Sequence, residues 1–228
     1  MKKSIAIVYF LLIISTFFAQ QFNFKNYTIS QGLPQSSVYD IFQDSKGFIW
    51  FGTQGGIAKF NGVDFKTYSQ KNKLAGNHVK VICEDNQTNI WTGHRFNGIS
   101  CITSNNQISS IQPKELTTEI KGICPWENGV VAISSKNGIF QLCLKNDSIE
   151  LINVVSIDTN RLTELHQIKK RGNQLFIATS NGLLILNKNF EIENKLFNGK
   201  LIADFSWDSK GDLIVLSKKE IVHINSNG

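Results

Sequence analysis

The histidines and the glycine-rich segment of this sequence match no known catalytic or phosphate-binding motif. The histidines are His78, His94, His166 and His223. Their spacing does not gather them into a ligand cluster, and the sequence lacks the HExxH, GxSxG and phosphate-loop motifs. The glycine-rich segment 52–56 joins two strand-like runs, whereas a phosphate-binding loop opens a helix. We therefore expect no catalytic residue, no metal site and no cofactor.

One loop combines groups that suit binding. Between Gly93 and Gly98, the side chains of His94, Arg95 and Phe96 offer a titratable ring, a bidentate hydrogen-bond donor and an aromatic face. The equivalent turn at 52–56 is one residue shorter. Because loops on a rigid scaffold tolerate insertions and often carry function, this departure predicts a contact with a ligand or partner.

Internal repeats are the elements that must position this loop. The sequence Asp-Ser-Lys-Gly occurs at 44–47 and again at 208–211, and Trp50 and Trp91 are 41 residues apart. Glycine followed by an aliphatic residue recurs every 40 to 44 residues, at Gly56, Gly98, Gly138 and Gly182. Each unit contains short alternating runs of β-branched or aromatic residues between turn-forming sequences. Four-stranded units of about 40 residues are typical of propeller blades, so we predict an all-β chain folded as a β-propeller.

We expect about five four-stranded blades in residues 21–228, near 38–69, 79–112, 119–152, 164–196 and 201–228. The run Phe24–Tyr27 resembles Phe65–Tyr68, which ends the first blade 41 residues later. Segment 22–28 is therefore predicted to be an outer strand that completes the last blade and closes the ring. A five-bladed ring and the front part of a larger propeller both fit the repeat.

The repeat also predicts which residues surround the loop at 93–98. In a propeller blade, the connection between the second and third strands emerges on the same rim as the connection entering the innermost strand. Converging polar and aromatic groups on one rim suit a polar ligand or a partner. The ligand-binding candidates are Gln35, Ser36, Asn77, His78, His94, Arg95 and Phe96.

Other repeated residues are expected to be structural. Trp50 and Trp91 share a position in the second strand and should pack between blades. The acids Asp44, Asp85 and Asp208 recur at turn positions, which favours turn capping over catalysis. The glycines expected to hold turns are Gly47, Gly56, Gly98, Gly138 and Gly182.

The N-terminus has the pattern of a secretory signal peptide. Lys2 and Lys3 precede an apolar run at 5–14, which is shorter than a membrane span. We expect residues 1–20 to be a leader and the protein to be periplasmic or secreted, with an uncleaved anchor as the alternative. The basic residues behind the net charge of +6 are scattered, which does not favour nucleic-acid binding. Cys83, Cys101, Cys124 and Cys143 lie in strand-like runs, so buried free thiols are favoured over disulfides.

Residues 26–57 carry a family resemblance. An apolar strand, the turn Asp44–Gly47, the run Ile49-Trp50-Phe51-Gly52-Thr53 and the pair Gly55-Gly56 are similar to the repeat of two-component-regulator propellers. The second copy keeps Trp91-Thr92-Gly93, and later copies keep less. The resemblance implies the periplasmic sensor region of a Bacteroidetes-type hybrid histidine kinase, in which propellers precede a sandwich domain, a membrane helix and kinase modules.

The resemblance leads us to expect a ligand-sensing propeller domain of a two-component system that is not itself an enzyme. The sequence has no phosphoacceptor-histidine segment and no ATP lid, so signalling would need parts absent here. The expected ligand is a glycan or another small polar molecule, the expected partners are downstream sandwich and kinase modules, and any membrane contact would come through a missing C-terminal part. An exported propeller for protein interaction or surface binding is the alternative, and a propeller lyase or hydrolase is a further one.

Overall fold

The computed structural model describes residues 24–113, 118–135, 138–156 and 163–225. Within them, nineteen strands form five antiparallel sheets, four with four strands and one with three. The prediction of an all-β propeller built from about five blades is confirmed. The predicted leader at 1–20 lies outside the described residues.

The strands follow one another in an up-and-down order within each sheet. Blade 1 contains β1 (Val38–Gln43), β2 (Ile49–Thr53), β3 (Gly56–Phe60) and β4 (Phe65–Tyr68). Blade 2 contains β5 (Val79–Glu84), β6 (Ile90–His94), β7 (Ile99–Ile102) and β8 (Ile108–Ile111). Blade 3 contains β9 (Ile120–Trp126), β10 (Gly129–Ser134), β11 (Gly138–Lys145) and β12 (Ser148–Val155). Blade 4 contains β13 (Leu165–Arg171), β14 (Gln174–Thr179), β15 (Gly182–Leu186) and β16 (Ile192–Leu196). Blade 5 contains β17 (Ile202–Trp207), β18 (Leu213–Ser217) and β19 (Ile221–Ile224).

The cores lie between blades, because alternate residues of each strand point to opposite faces of its sheet. Four buried clusters each join two successive blades, and among the described residues no buried cluster joins blade 5 to blade 1. Trp50, Ile57 and Ile82 belong to the cluster between blades 1 and 2. Trp91, Ile99 and Phe140 belong to the cluster between blades 2 and 3. All four cysteines are free thiols.

The prediction of an outer closing strand at 22–28 is wrong for the part of it that the structure describes. Phe24 to Thr28 form no strand, and a 3₁₀ turn follows at Ile29–Gln31. The Thr28 side chain caps this turn, while the ring of Tyr27 packs edge-on against Phe60 and Phe65 at centroid distances of 5.0 and 5.5 Å. The segment thus folds over blade 1, because its aromatic ring finds a packing surface there.

Each innermost strand has a β-bulge directly after its first residue. The pairing register shifts directly after Val38, Val79, Leu165 and Ile202, and at the equivalent Ile120 of β9. A bulge re-aims the side chains next to it. The residue before each innermost strand and the bulged residue itself therefore line one end of the propeller, where the innermost strands β1, β5, β9 and β13 lie side by side.

Candidate functional site

The candidate site is a row of side chains at the starts of the innermost strands, which we call the axial rim. Its members occupy only two positions of the repeat, directly before and directly after the first strand residue. They are Tyr39, His78, Lys80, Glu119, Lys121, Glu164 and His166.

The backbone of this rim is fixed by one hydrogen bond that is repeated in four blades. The amide that follows the second strand donates to the carbonyl that precedes the innermost strand. The pairs are Gln54 to Ser37, Arg95 to His78, Ser135 to Glu119 and Ser180 to Glu164, at 3.3, 3.0, 2.9 and 2.9 Å. The loops between second and third strands therefore lie beside the axial rim.

A chain of contacts runs across three blades of the rim. The ring of Tyr39 stacks on His78 with 4.6 Å between centroids, and Lys80 Nζ lies 3.9 Å from the centroid of the Tyr39 ring. The Lys80 ammonium also lies 3.4 Å from the Glu119 carboxylate, which pairs with Lys121 at 2.9 Å. These side chains are positioned by one another before any ligand arrives.

The charges of the rim stay partly exposed to solvent. The side chains of Lys80, Glu119 and Lys121 are 24, 21 and 32% exposed. Burial alone would raise the pKa of Glu119, but the hydrogen bond from Lys121 and the charges of Lys121 and Lys80 outweigh it and lower the pKa. Glu119 is therefore an anion at neutral pH, held between two cations.

Two imidazoles of the rim are neutral at neutral pH. Burial lowers the pKa of His78, and the charges of Arg95 and Lys80 lower it further. Burial also lowers the pKa of His166, with Lys121 acting in the same direction and Glu164 against it. A neutral imidazole has one nitrogen that donates and one that accepts, so each ring can bind a hydroxyl in either role.

Several buried polar atoms at this end have no hydrogen-bond partner among the described residues. They are His78 Nε2, Thr118 Oγ1, Ser134 Oγ and His166 Nε2. Buried polar atoms in proteins are nearly always paired. His78 and His166 belong to the axial rim, and Thr118 and Ser134 lie beside it; ordered water can satisfy buried atoms of this kind.

A groove continues from the rim along the innermost strands. Its volume is about 410 Å³, and it begins one residue beyond the rim, at Asp40, Val81, Gly122 and Gln167. Asp40 links blades 1 and 2 at the groove, because its carboxylate accepts a 2.7 Å hydrogen bond from the amide of Ile82. A ligand held by the rim side chains would have space to extend into this groove.

The structure places one predicted binding residue elsewhere. His94 ends β6 and is fully buried, so the expectation that it lies at an exposed loop tip is wrong. Its Nε2 lies 2.9 Å from Ser100 Oγ and 3.2 Å from Thr92 Oγ1. Burial lowers its pKa to about 4, although the carbonyl of Gly76 acts in the opposite direction. His94 is a packed polar residue between blades 1 and 2, because it is the last residue of β6 and is equivalent to Thr53, the buried last residue of β2.

The other predicted binding residues lie around the rim without meeting at one point. Phe96 is 56% exposed and sits under the guanidinium of Arg95, 5.1 Å from the ring centroid. Gln35 accepts a hydrogen bond from the amide of Ser36, and Asn77 accepts one from the amide of Gln70. Of the predicted set, His78 belongs to the axial rim and Arg95 is joined to it through the backbone.

Sequence reasoning missed most of the rim, namely Tyr39, Lys80, Glu119, Lys121, Glu164 and His166. These residues share no motif, since one repeat position holds tyrosine, lysine, lysine and histidine in successive blades. One signal in the sequence would have found part of this set. Each innermost strand begins with an aliphatic residue, and the residue that follows it is polar or aromatic in four successive blades.

Comparisons with known proteins agree with this architecture. The model of the family described as two component regulator propeller matches residues 32–55. A 47-residue stretch is 53% identical to the histidine kinase P4 of Formosa agariphila, which covers 21% of this chain and 3% of that protein. The chain therefore spans a small part of the curated relative that it matches.

Solved structures share the fold. The extracellular domain of a hybrid two-component system from B. thetaiotaomicron superposes with a TM-score of 0.68 and 23% identity, over 89% of this chain and 30% of that one. Virginiamycin B lyase from Staphylococcus aureus superposes with a TM-score of 0.68 and 19% identity, over 85% of this chain and 67% of that one.

No helix among the described residues has the length and hydropathy to cross a membrane. The matched repeat is named for two-component regulation and not for catalysis, in line with the expectation that the chain is not an enzyme. The resemblance found in the sequence is thus confirmed, and the chain carries a repeat of the two-component-regulator propeller family.

Proposed function

We propose that this chain is an extracytoplasmic sensing domain of a two-component system and that it binds a polar ligand on the axial rim. The observation that carries the proposal is the grouping of paired charges and neutral imidazoles at one end of the propeller, next to a groove. Recognition sites in proteins combine a few convergent polar groups with a concave surface. The rim and the groove behind it have both features.

The side chains favour a ligand with hydroxyl groups and a negative charge. The charges of Lys80 and Lys121 are balanced by the carboxylates of Glu119 and Glu164, so the positive charge available to a ligand is that of Arg95, which is joined to the axial rim through its backbone. Neutral His78 and His166 suit hydroxyls, and the Tyr39 ring offers apolar surface. An oligosaccharide that contains a uronic acid has both kinds of group, which makes an acidic glycan the proposed ligand class.

The partners are proposed from the resemblance to hybrid sensors. Ligand binding would be passed to sandwich and kinase modules that lie outside this sequence, and the domain would act in the periplasm or at the cell surface. Nucleic acid is not a proposed partner, because the lysines at the rim are paired with carboxylates instead of forming a continuous basic stripe.

The experiment that tests the proposal is a binding screen of the purified chain against oligosaccharides, half of them neutral and half containing uronic acid. We expect at least one uronic-acid oligosaccharide to bind and to slow amide hydrogen exchange at the starts of β5, β9 and β13. Binding with protection confined to another part of the chain would contradict the axial rim as the site. Failure of every oligosaccharide at millimolar concentration would contradict the glycan class.

A matched pair of variants separates the rim from the neighbouring loop. Lys121→Ala removes a charge from the rim, whereas the double variant Arg95→Ala/Phe96→Ala removes the exposed tip of the loop after β6. We expect Lys121→Ala to lose the larger part of the affinity. A larger loss in the double variant, with the fold intact, would move the site to the loop tip.

A further inference from the structure

A cluster of three potential metal ligands lies in blade 5, at the end of the sheet opposite the axial rim. Asp208 and Asp212 belong to the turn between β17 and β18, and His223 comes from β19. One ligand atom from each residue lies within 4.8 Å of the other two. The proposed sensing function does not use these residues.

Comparison with the first two blades shows why the cluster exists. In blade 1, one oxygen of Asp44 accepts backbone hydrogen bonds within its turn, and the other accepts the indole N–H of Trp50 at 2.8 Å. Asp85 and Trp91 repeat this arrangement in blade 2 at 2.7 Å. In blades 1 and 2, the second carboxylate oxygen of the turn aspartate thus accepts a hydrogen bond from the tryptophan six residues later.

Blade 5 keeps the turn but not the tryptophan. Asp208 Oδ1 still accepts the amides of Lys210 and Asp212, at 2.8 and 2.9 Å. The residue six positions later is Ile214, which offers no donor, and the strand residue paired with it is His223. The imidazole of His223 therefore faces Asp208 Oδ2. In blades 1 and 2, the indole of the tryptophan contacts the equivalent oxygen.

The distances suit a metal ion. His223 Nε2 lies 3.3 Å from Asp208 Oδ2 and 3.7 Å from Asp212 Oδ2. Ligand atoms bound at about 2.0–2.1 Å around a tetrahedral ion are about 3.4 Å apart. Both separations are close to such an edge, so an ion can be held with small side-chain rotations and without movement of the strands.

We propose that Asp208, Asp212 and His223 form a binding site for a divalent transition-metal cation such as Zn²⁺. One imidazole nitrogen and two carboxylate oxygens are ligands that Zn²⁺ accepts, whereas a calcium site would use oxygen ligands throughout. The His223 side chain is 47% exposed and that of Asp208 26%, which leaves room for water as a further ligand. The ion would join the turn after β17 to the edge strand β19.

The test is isothermal titration of ZnCl₂ into the full chain without a histidine tag, with the variants His223→Ala and Asp208→Asn. Asp64→Asn, which changes an exposed carboxylate on blade 1, is the matched control. Loss of even an outer-shell partner weakens a metal site by about 10- to 100-fold, so removing a direct ligand should weaken binding by at least about tenfold. Circular dichroism without metal checks that each variant is folded.

We expect one Zn²⁺ per chain, affinity reduced in both ligand variants and unchanged affinity in Asp64→Asn. Because Asp208 also caps its turn, His223→Ala decides the matter if Asp208→Asn unfolds blade 5. No binding at 1 mM Zn²⁺, or equal affinity in the wild type and His223→Ala, would overturn the proposal. Neither result would bear on ligand binding at the axial rim, which uses other residues.

Discussion

The indole nitrogen of Trp91 donates a 2.7 Å hydrogen bond to the buried carboxylate of Asp85. Trp91 is fully buried between blades 2 and 3, and Asp85 also accepts the amides of Gln87 and Asn89 in its own turn. One carboxylate thus fixes both a hairpin and the largest side chain of the neighbouring core. The repeated Asp and Trp of this chain are therefore parts of one structural unit.

Substitution of Trp91 should lower stability in two steps. Trp91→Phe keeps most of the apolar volume but removes one of the two donors of Asp85 Oδ2, leaving only the side-chain amide of Asn89, and the lost hydrogen bond to a charged group should cost about 1.5–3 kcal/mol. Trp91→Ala also opens a cavity and should cost about 3–5 kcal/mol. Urea unfolding followed by circular dichroism measures both losses. Equal stability of Trp91→Phe and the wild type would show that the hydrogen bond contributes nothing.

His94 should make stability depend on pH. Its pKa is about 4 in the folded chain, against 6.5 for a free histidine, because burial disfavours the charged ring. Between these values the unfolded chain binds more protons, so stability is complete above pH 6.5 and falls as the pH drops towards 4. The loss from this residue should reach about 3 kcal/mol. Urea unfolding at pH 7 and pH 4.5 should show a larger drop for the wild type than for His94→Gln, and equal drops would contradict this account.

Replacement by alanine should destabilise the chain to different extents at two turn glycines. Gly56 has a φ of 136°, and an added Cβ would meet the carbonyl oxygen of Tyr68 at 2.2 Å. Gly47 has a φ of 85°, and an added Cβ would meet nothing within 4 Å. Gly47→Ala should therefore cost only backbone strain of about 1 kcal/mol, and Gly56→Ala clearly more. Thermal unfolding compares the two, and a smaller effect at Gly56 would be the contrary result.

The cysteines should react with a thiol reagent at two different rates. Cys83, Cys101 and Cys124 are buried, and burial raises the pKa of the Cys124 thiol to about 12, whereas Cys143 is half-buried. Since the thiolate is the reactive form, native protein should be labelled at Cys143 first and at the others only on unfolding. Mass spectrometry of the labelled chain, with Cys143→Ser as the control, measures this. Fast labelling of Cys124 in native protein would contradict the burial.

The repeated residues made the fold predictable. Trp50, Trp91 and the Asp-Ser-Lys-Gly turns recur because each blade must bury the same face and close the same hairpin, so spacing alone indicates a propeller. The same reasoning failed at Phe24–Tyr27, where similarity to an outer strand reflected only similar aromatic content. The contact of Tyr27 with Phe60 and Phe65 depends on tertiary packing, which spacing does not encode.

The candidate site was less predictable, since it depends on residues that differ between blades. Tyr39, Lys80, Lys121 and His166 lie at one end of the propeller because bulges turn equivalent positions of separate strands towards that end. Their side chains share no motif and lie about 40 residues apart. His94 was misplaced because it was assigned to the loop, although it is equivalent to Thr53, the buried last residue of β2.

The central claim is that the axial rim binds the ligand, and the affinity of one rim variant tests it most directly. The measurement is titration calorimetry of the tightest-binding oligosaccharide from the screen into the wild type, Lys121→Ala and Lys188→Ala, the last of which changes an exposed lysine at the opposite end of blade 4. A hydrogen bond to a charged group contributes about 1.5–3 kcal/mol, so Lys121→Ala should weaken binding by at least about tenfold. Lys188→Ala should leave the affinity unchanged. Equal affinity of the wild type and a folded Lys121→Ala chain would contradict the axial rim as the site.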